Sequence, residues 1–173
     1  DPGCHFKTRN REYKRTCHEA SIRVPLAFSG PGFDGVGELS QLVSLVDLAP
    51  TLLDAANLPV PPVMQGRSLL PLLRGESGDW PEEVFVQTSE HEVGRSLRTA
   101  RWKYGVLAPS LDGNAVDSAE VYEEVFLYDL KRDPAELNNL ILDPQHRELA
   151  DRLAKRLKVR MVEAGEQAAQ IRP

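Results

Sequence analysis

The sequence predicts an α/β unit followed by a small α+β layer, and three observations carry that reading. The hydrophobic period changes along the chain: capped helical segments fill residues 42–75, and from residue 83 apolar and polar residues alternate. Near the end, Leu149, Leu153, Leu157 and Met161 recur every four residues, which is one face of a helix. The composition, 41% hydrophobic and 27% charged over 173 residues, supplies a core and excludes disorder for the chain as a whole. The boundary falls between residues 1–82 and 83–173.

Residues 1–23 form the one clearly basic stretch, with Lys7, Arg9, Arg11, Lys14, Arg15 and Arg23 against Asp1, Glu12 and Glu19. No period holds there, so it reads as a loop leading into a short apolar strand, Val24-Pro-Leu-Ala-Phe-Ser29. Gly30-Pro-Gly32 closes that strand as a turn. Residues 42–57 read as helix, with Asp47 as N-cap, Pro50 in the first turn, and Leu48, Thr51, Leu52 and Ala55 on one face. Ser68-Leu-Leu-Pro71 repeats the cap-plus-proline device for a short helix ending at Gly75.

In the second part, Val84-Phe-Val86 is a strand, and Ser96–Thr99 with Trp102–Leu107 is a hairpin. Residues 109–120 are a polar, acidic loop, and Val121–Tyr128 is another strand. Asp133-Pro-Ala-Glu136 reads as a capping box opening a helix. Asp143-Pro144 opens the final helix, which Gly165 ends. Glu120, Glu123 and Glu124 read as an exposed strand face. A single apolar strand cannot satisfy its own edges, so the first part calls for more sheet than it contains, and the open edge predicts self-association.

The chain opens with Asp-Pro-Gly-Cys-His, without Met or a signal peptide, and reads as cut rather than begun. A formal charge of −5, from 21 basic and 26 acidic side chains, excludes a general nucleic-acid binder as partner. No apolar run approaches the roughly 20 residues that cross a bilayer, so no membrane partner is expected. No targeting segment marks a compartment, so localisation is open. Two cysteines cannot build a disulfide framework. Cys4-His5 and Cys17-His18 offer thiolate and imidazole, yet their spacing matches no familiar zinc pattern, and small hydrophobic cysteines are the simpler reading. The chain has no nucleophile elbow, phosphate-cradling glycine loop or His-Glu-x-x-His helix. Lys14 and the neighbouring arginines could hold sulfate, phosphate or carboxylate, or form a solvated basic loop.

A resemblance adds what spacing does not. Asp1-x-Gly3, Lys14 thirteen positions later, Glu19-Ala-Ser-Ile-Arg-Val-Pro25 and Gly30-Pro-Gly32 resemble the second half of a sulfatase, in the alkaline-phosphatase-like superfamily. Leu42–Leu53, Gly66-Arg-Ser-Leu69 and Leu97-Arg-Thr-x-Arg-Trp-Lys-Tyr104 are similar to that family in the same order. So are Leu127-Tyr-Asp-Leu130, and Asp133-Pro-x-Glu136 with Asn139-Leu140. The resemblance implies that residues 1–82 are the end of an alkaline-phosphatase-like α/β catalytic domain. Residues 83–173 would then be a small antiparallel sheet packed by a C-terminal helix.

It also implies a hydrolase of sulfate esters, acting on a small sulfate ester or a sulfated sugar. The same resemblance allows a phosphonate or phosphodiester hydrolase, and a non-catalytic anion- or partner-binding module stands as a reading of another class. Asp1 falls on a family ligand to a divalent ion, usually Ca2+. Lys14 falls on the lysine that binds sulfate oxygens, where a point charge suits the developing dianion. His18, Glu90 and Arg95 are the further candidate substrate-binding residues, with His91 beside them; Glu19 and Arg23 match structural positions. Pro2 stands where the family has Asn or His, which removes a ligand. The formylglycine nucleophile, made from a Cys/Ser-x-Pro/Ala-x-Arg motif, is absent from these residues, as is the upstream acidic pair. The implied partner is therefore the N-terminal half of the catalytic domain, and the chain alone is expected to be inactive.

Overall fold

The structure, a computed structural model, describes residues 3–33, 37–76 and 78–173. In chain order the helices are α1 (Glu19–Ile22), α2 (Leu48–Ala55), α3 (Leu70–Leu73) and α4 (Arg147–Glu163). The strands are β1 (Glu83–Ser89), β2 (Val93–Thr99), β3 (Trp102–Leu107), β4 (Val121–Asp129) and β5 (Gln170–Arg172). The described residues divide into two compact units, one of Pro25–Val84 and one joining the residues up to Val24 to Phe85–Pro173. The basic loop thus clusters with the C-terminal sheet, while the later division lies within two residues of the 82/83 boundary.

In the Pro25–Val84 unit, the helix expected over 42–57 is a 3-10 turn, Leu45–Asp47, running into α2. Its start is late because the buried Asp47 carboxylate is engaged elsewhere. It accepts the backbone N–H of Ser44 at 2.8 Å and of Arg67 at 3.0 Å. The packed face also differs from expectation: Pro50 and Thr51 are buried, whereas Leu52 is 57% exposed. Thr51 donates its hydroxyl to the Asp47 carbonyl and accepts the Leu69 N–H at 3.0 Å, which holds the segment entering α3 against α2. The Ser68 hydroxyl accepts the Leu70 N–H at 3.2 Å, and Gly75, at φ +78°, closes the helix in a conformation glycine adopts freely. Val24–Ser29 is not a strand. No sheet pairing among the described residues includes it, and without a ladder an apolar run stays irregular.

The second unit is a five-stranded sheet in the order β1-β2-β3-β4-β5. The β2–β3 and β3–β4 pairs are antiparallel, but β5 runs parallel to β4, so the sheet is mixed where an antiparallel one is expected. The cause is connectivity: α4 lies between β4 and β5, and a helical crossover returns the chain in the same direction. Side-chain alternation gives the sheet two unlike faces. On one, Val93, Leu97, Tyr104, Val106, Tyr122 and Leu127 pack against Ala150, Leu153, Leu157 and Met161 of α4. That is the predicted apolar stripe. On the other face Cys17 packs with Phe126, Tyr128 and Leu130.

Two local expectations fail for identifiable reasons. Glu124 is not on an exposed face: its side chain is 4% exposed, accepts the Tyr104 hydroxyl at 2.8 Å, and takes both guanidinium nitrogens of Arg147 at 2.6 Å. The Asp133–Glu136 box opens no helix. Asp133 accepts the Asn138 N–H at 2.7 Å, while Glu136, at φ +56°, turns its carboxylate inward. Asn139 instead lies along β4. Its amide accepts the Leu127 N–H at 3.0 Å and donates to the Val125 carbonyl at 2.7 Å, filling ladder positions that would otherwise be unpaired.

Candidate anion-binding site

The basic loop is organised around a histidine. His5 is 4% exposed. Its N–H donates to the Tyr13 carbonyl at 2.8 Å, and its own carbonyl accepts the Thr8 N–H at 3.0 Å. The ring Nε2 faces the Lys14 carbonyl at 3.3 Å, and since a carbonyl can only accept, Nε2 carries the proton there. Lys14 is therefore carried where the loop doubles back on itself, and its side chain is half-buried. Three non-glycine residues adopt positive φ on the way: Phe6 (52°), Lys7 (62°) and Arg15 (74°). Such conformations persist only where the surroundings over-determine them.

Arg15, next to Lys14, pairs with Glu90 at 3.1 Å and with Glu12 at 3.5 Å. Glu90 thus meets a cation of the loop, at the end of the β1–β2 hairpin. His18 lies on the sheet face that carries Cys17. Its ring centroid is 4.8 Å from Phe126 and 5.8 Å from Tyr128. Arg9 sits over the Tyr128 ring at 6.0 Å and donates to the Ala135 carbonyl at 2.7 Å. Burial, then the nearby Arg9 and Lys103 cations and His5, push the His18 imidazole down to about 3. It is a neutral ring in positive surroundings, and its buried Nδ1 has no hydrogen-bond partner among the described residues.

Just after His18, the chain is fixed by charge. Lys103, fully buried on β3, pairs through Nζ with Glu19 at 2.7 Å and with Glu136 at 2.9 Å. The second Glu136 oxygen accepts the Glu19 N–H at 2.8 Å, and Arg98 reaches Glu19 at 3.4 Å. Burial works to raise the Glu19 carboxyl, but Lys103 and Arg98 together outweigh it, and the carboxyl lies below its ordinary range. The structural role the resemblance implies for Glu19 has this physical form.

The remaining candidates fall elsewhere. Arg95 is on the helix face of the sheet, its Cζ 5.7 Å from the centroid of the Tyr122 ring. Its Nε pairs with Glu166 at 2.6 Å, and its other nitrogens donate to the Thr88, Gly94 and Asp117 carbonyls. With Gln87, Glu120 and Gln167 it lines a polar cleft of about 690 Å3 on that face. Arg95 and His18 are thus on opposite sides of one sheet and do not share a site. Asp1, with Pro2, lies outside the described residues. Among the described residues, no group of three or more His, Cys, Asp or Glu side chains is placed to hold a metal. Cys17 is a buried thiol that burial pushes up, whereas Cys4 is exposed and not a packed hydrophobe. The sequence carries no sign of the buried Lys103 or of the inward turn of Glu136. Of the repeated Cys-His pair, Cys17 and His18 both belong to this face, the thiol as packing and the imidazole as the polar group.

Residues 11–163 match the family described as N-sulphoglucosamine sulphohydrolase, C-terminal. The chain belongs to that family, and it has the fold of the C-terminal part of an alkaline-phosphatase-like sulfatase. Among curated relatives, arylsulfatase K of Mus musculus is 36% identical over 138 residues, covering 74% of this chain and 23% of that protein. A delta 4,5-hexuronate-2-O-sulfatase of Bacteroides thetaiotaomicron is 35% identical over 157 residues, covering 82% and 30%. A structure solved with its substrate D-glucosamine-2-N,6-O-disulfate matches with a TM-score of 0.70 and 27% identity, covering 87% of this chain and 30% of that one. The chain thus spans about a quarter to a third of the length of these relatives.

Proposed function

We propose that this chain supplies the sulfate-gripping wall of a sulfuric ester hydrolase acting on a sulfated sugar. The observation that supports it is the setting of His18, whose ring burial first, then the Arg9 and Lys103 cations and His5, keep neutral down to about pH 3. Lys14 contacts the sulfate oxygens as a point charge, and the charge it offers is worth most as the leaving dianion develops. His18, neutral, donates one ring N–H to an oxygen without having to change protonation. The sugar assignment draws on the relatives, which are named for a hexuronate 2-O-sulfate and a glucosamine disulfate.

Asp1 is proposed as one ligand to a divalent ion such as Ca2+, which would offset sulfate charge when bound. Pro2 contributes no side-chain ligand beside it. The nucleophile motif is not within these 173 residues, and the chain by itself is expected not to turn over.

Titration of the chain with inorganic sulfate, followed by NMR, tests the binding claim. Saturable shifts at Lys14 and His18 that Lys14→Ala abolishes are expected. Equal binding by Lys14→Ala, or tighter binding of methylphosphonate than of sulfate, refutes it. Robust hydrolysis of an aryl sulfate by the chain in the presence of Ca2+ would refute the inactivity claim.

A further inference from the structure

The β2–β3 register places Arg98 directly opposite Lys103. Two like charges at facing positions repel, and neither can stay unless anions are brought to them. The chain brings two, from distant points in the sequence. Glu19 comes from the turn of α1 immediately after His18, and Glu136 from the loop after β4. Lys103 has no exposed surface, and its ammonium is shared between the two carboxylates at 2.7 and 2.9 Å. Glu136 adopts φ +56° to get there and spends its second oxygen on the Glu19 backbone N–H. The same turn is pinned again by the Thr16 and Ser21 hydroxyls, 3.2 Å apart, and by the Gly3 N–H on the Ser21 carbonyl at 3.0 Å.

Buried charge clusters are an inefficient source of stability, because desolvation consumes most of the Coulombic gain. What this cluster fixes is the position of one backbone segment relative to the sheet. We infer that Lys103, Glu19 and Glu136 are positioning residues, holding the turn after His18 and with it the His18 ring at the face where the anion is proposed to bind. The inference rests on the sulfate-binding reading for its purpose, but the geometry it describes can be tested apart from it. It also gives a physical role to two sequence motifs, Leu97–Tyr104 and Asp133–Glu136, that the anion site itself does not use. Arg98 serves as the charge balance, leaving two cations against two carboxylates.

The test uses the full chain, inorganic sulfate, and the variants Lys103→Met, Lys103→Arg and Glu136→Gln, each checked for folding by circular dichroism. Groups that hold a metal-ligating side chain from behind typically change metal affinity or activity by roughly 10- to 100-fold when removed, and the low end of that range is expected for an anion. About tenfold weaker sulfate binding is expected for Lys103→Met, with partial recovery in Lys103→Arg. The His18 ring 15N resonances should move in Lys103→Met, a signature that loss of stability alone does not produce. Should Lys103→Met fail to fold, Glu136→Gln, which keeps the Lys103–Glu19 pair, is read in the same way.

A folded variant with unchanged affinity and unmoved His18 resonances overturns the inference. So does failure of both variants to fold, because the cluster would then act on the whole fold and not on this turn. Absence of sulfate binding by the unsubstituted chain sinks the sulfate reading, and movement of His18 alone then decides the positioning role.

Discussion

Gly105→Ala tests how tightly the sheet and the candidate site are joined. A Cβ at Gly105 would lie 2.1 Å from Phe126 Cζ and 2.3 Å from Cε2, where ordinary contact begins at 3.4 Å. The ring cannot easily yield, because it stacks on Tyr128 at 5.4 Å and faces His18 at 4.8 Å. Overpacking of this kind costs about 1–3 kcal/mol. Against it stands a gain of about 0.4–1 kcal/mol from the stiffer unfolded chain. The net expectation is a loss of about 1–2 kcal/mol, or a drop of roughly 2–8 °C in Tm for a chain of this size. Urea unfolding followed by circular dichroism measures it. Phe126→Leu in the Gly105→Ala background should restore most of the loss, and the double-mutant cycle isolates the pair. An unchanged or higher urea midpoint for Gly105→Ala, or no recovery in the double variant, refutes the reasoning.

Two further outcomes are expected. The unfolded chain protonates His18 near its ordinary value of 6.5, the folded chain only near 3. Between those limits the unfolded state binds the extra proton, so stability falls with falling pH by up to about 1.4 kcal/mol per unit. His18→Phe should flatten that slope in urea midpoints measured from pH 7 to pH 4, and an unaltered slope counts against the burial of His18. Arg95→Met takes the cation from the Glu166 carboxylate, which is 10% exposed and then keeps the neutral Gln87 amide, and should cost about 3–5 kcal/mol. Because Arg95 lies on the other face of the sheet, the same variant should bind sulfate like the parent below its melting point; a matching loss of affinity would contradict the two-face arrangement.

The parts of this fold that can be read from sequence are those whose cause is local. The stripe Leu153, Leu157, Met161 needs only helical period, and the hairpin Ser96–Leu107 needs only alternation. The stop at Gly75 needs only a residue free to take φ +78°. Errors arise where a polar side chain has a distant partner. Glu136 looks like a capping residue because its own neighbours say so, but Lys103, 33 positions earlier, takes it. Glu124 looks exposed until Arg147 is folded over it. Asp47 looks like the N-cap of α2, but its carboxylate reaches back to Ser44 and across to Arg67. The site divides in the same way: Lys14 follows from a family pattern and His18 lies in the same basic loop, whereas strand alternation sends Arg95 to the opposite side from Gly94 and Ser96.

The amide of Asn139 has a bearing on how the β4 border meets other strands. A sheet border with vacant donors and acceptors invites a foreign strand, and a fibril or swapped dimer would start there. Along the stretch from Val125 to Leu127, one side chain already occupies those valences at 2.7 and 3.0 Å. An incoming strand must first evict it, so recruitment along that border is hindered without spending a proline or a lysine.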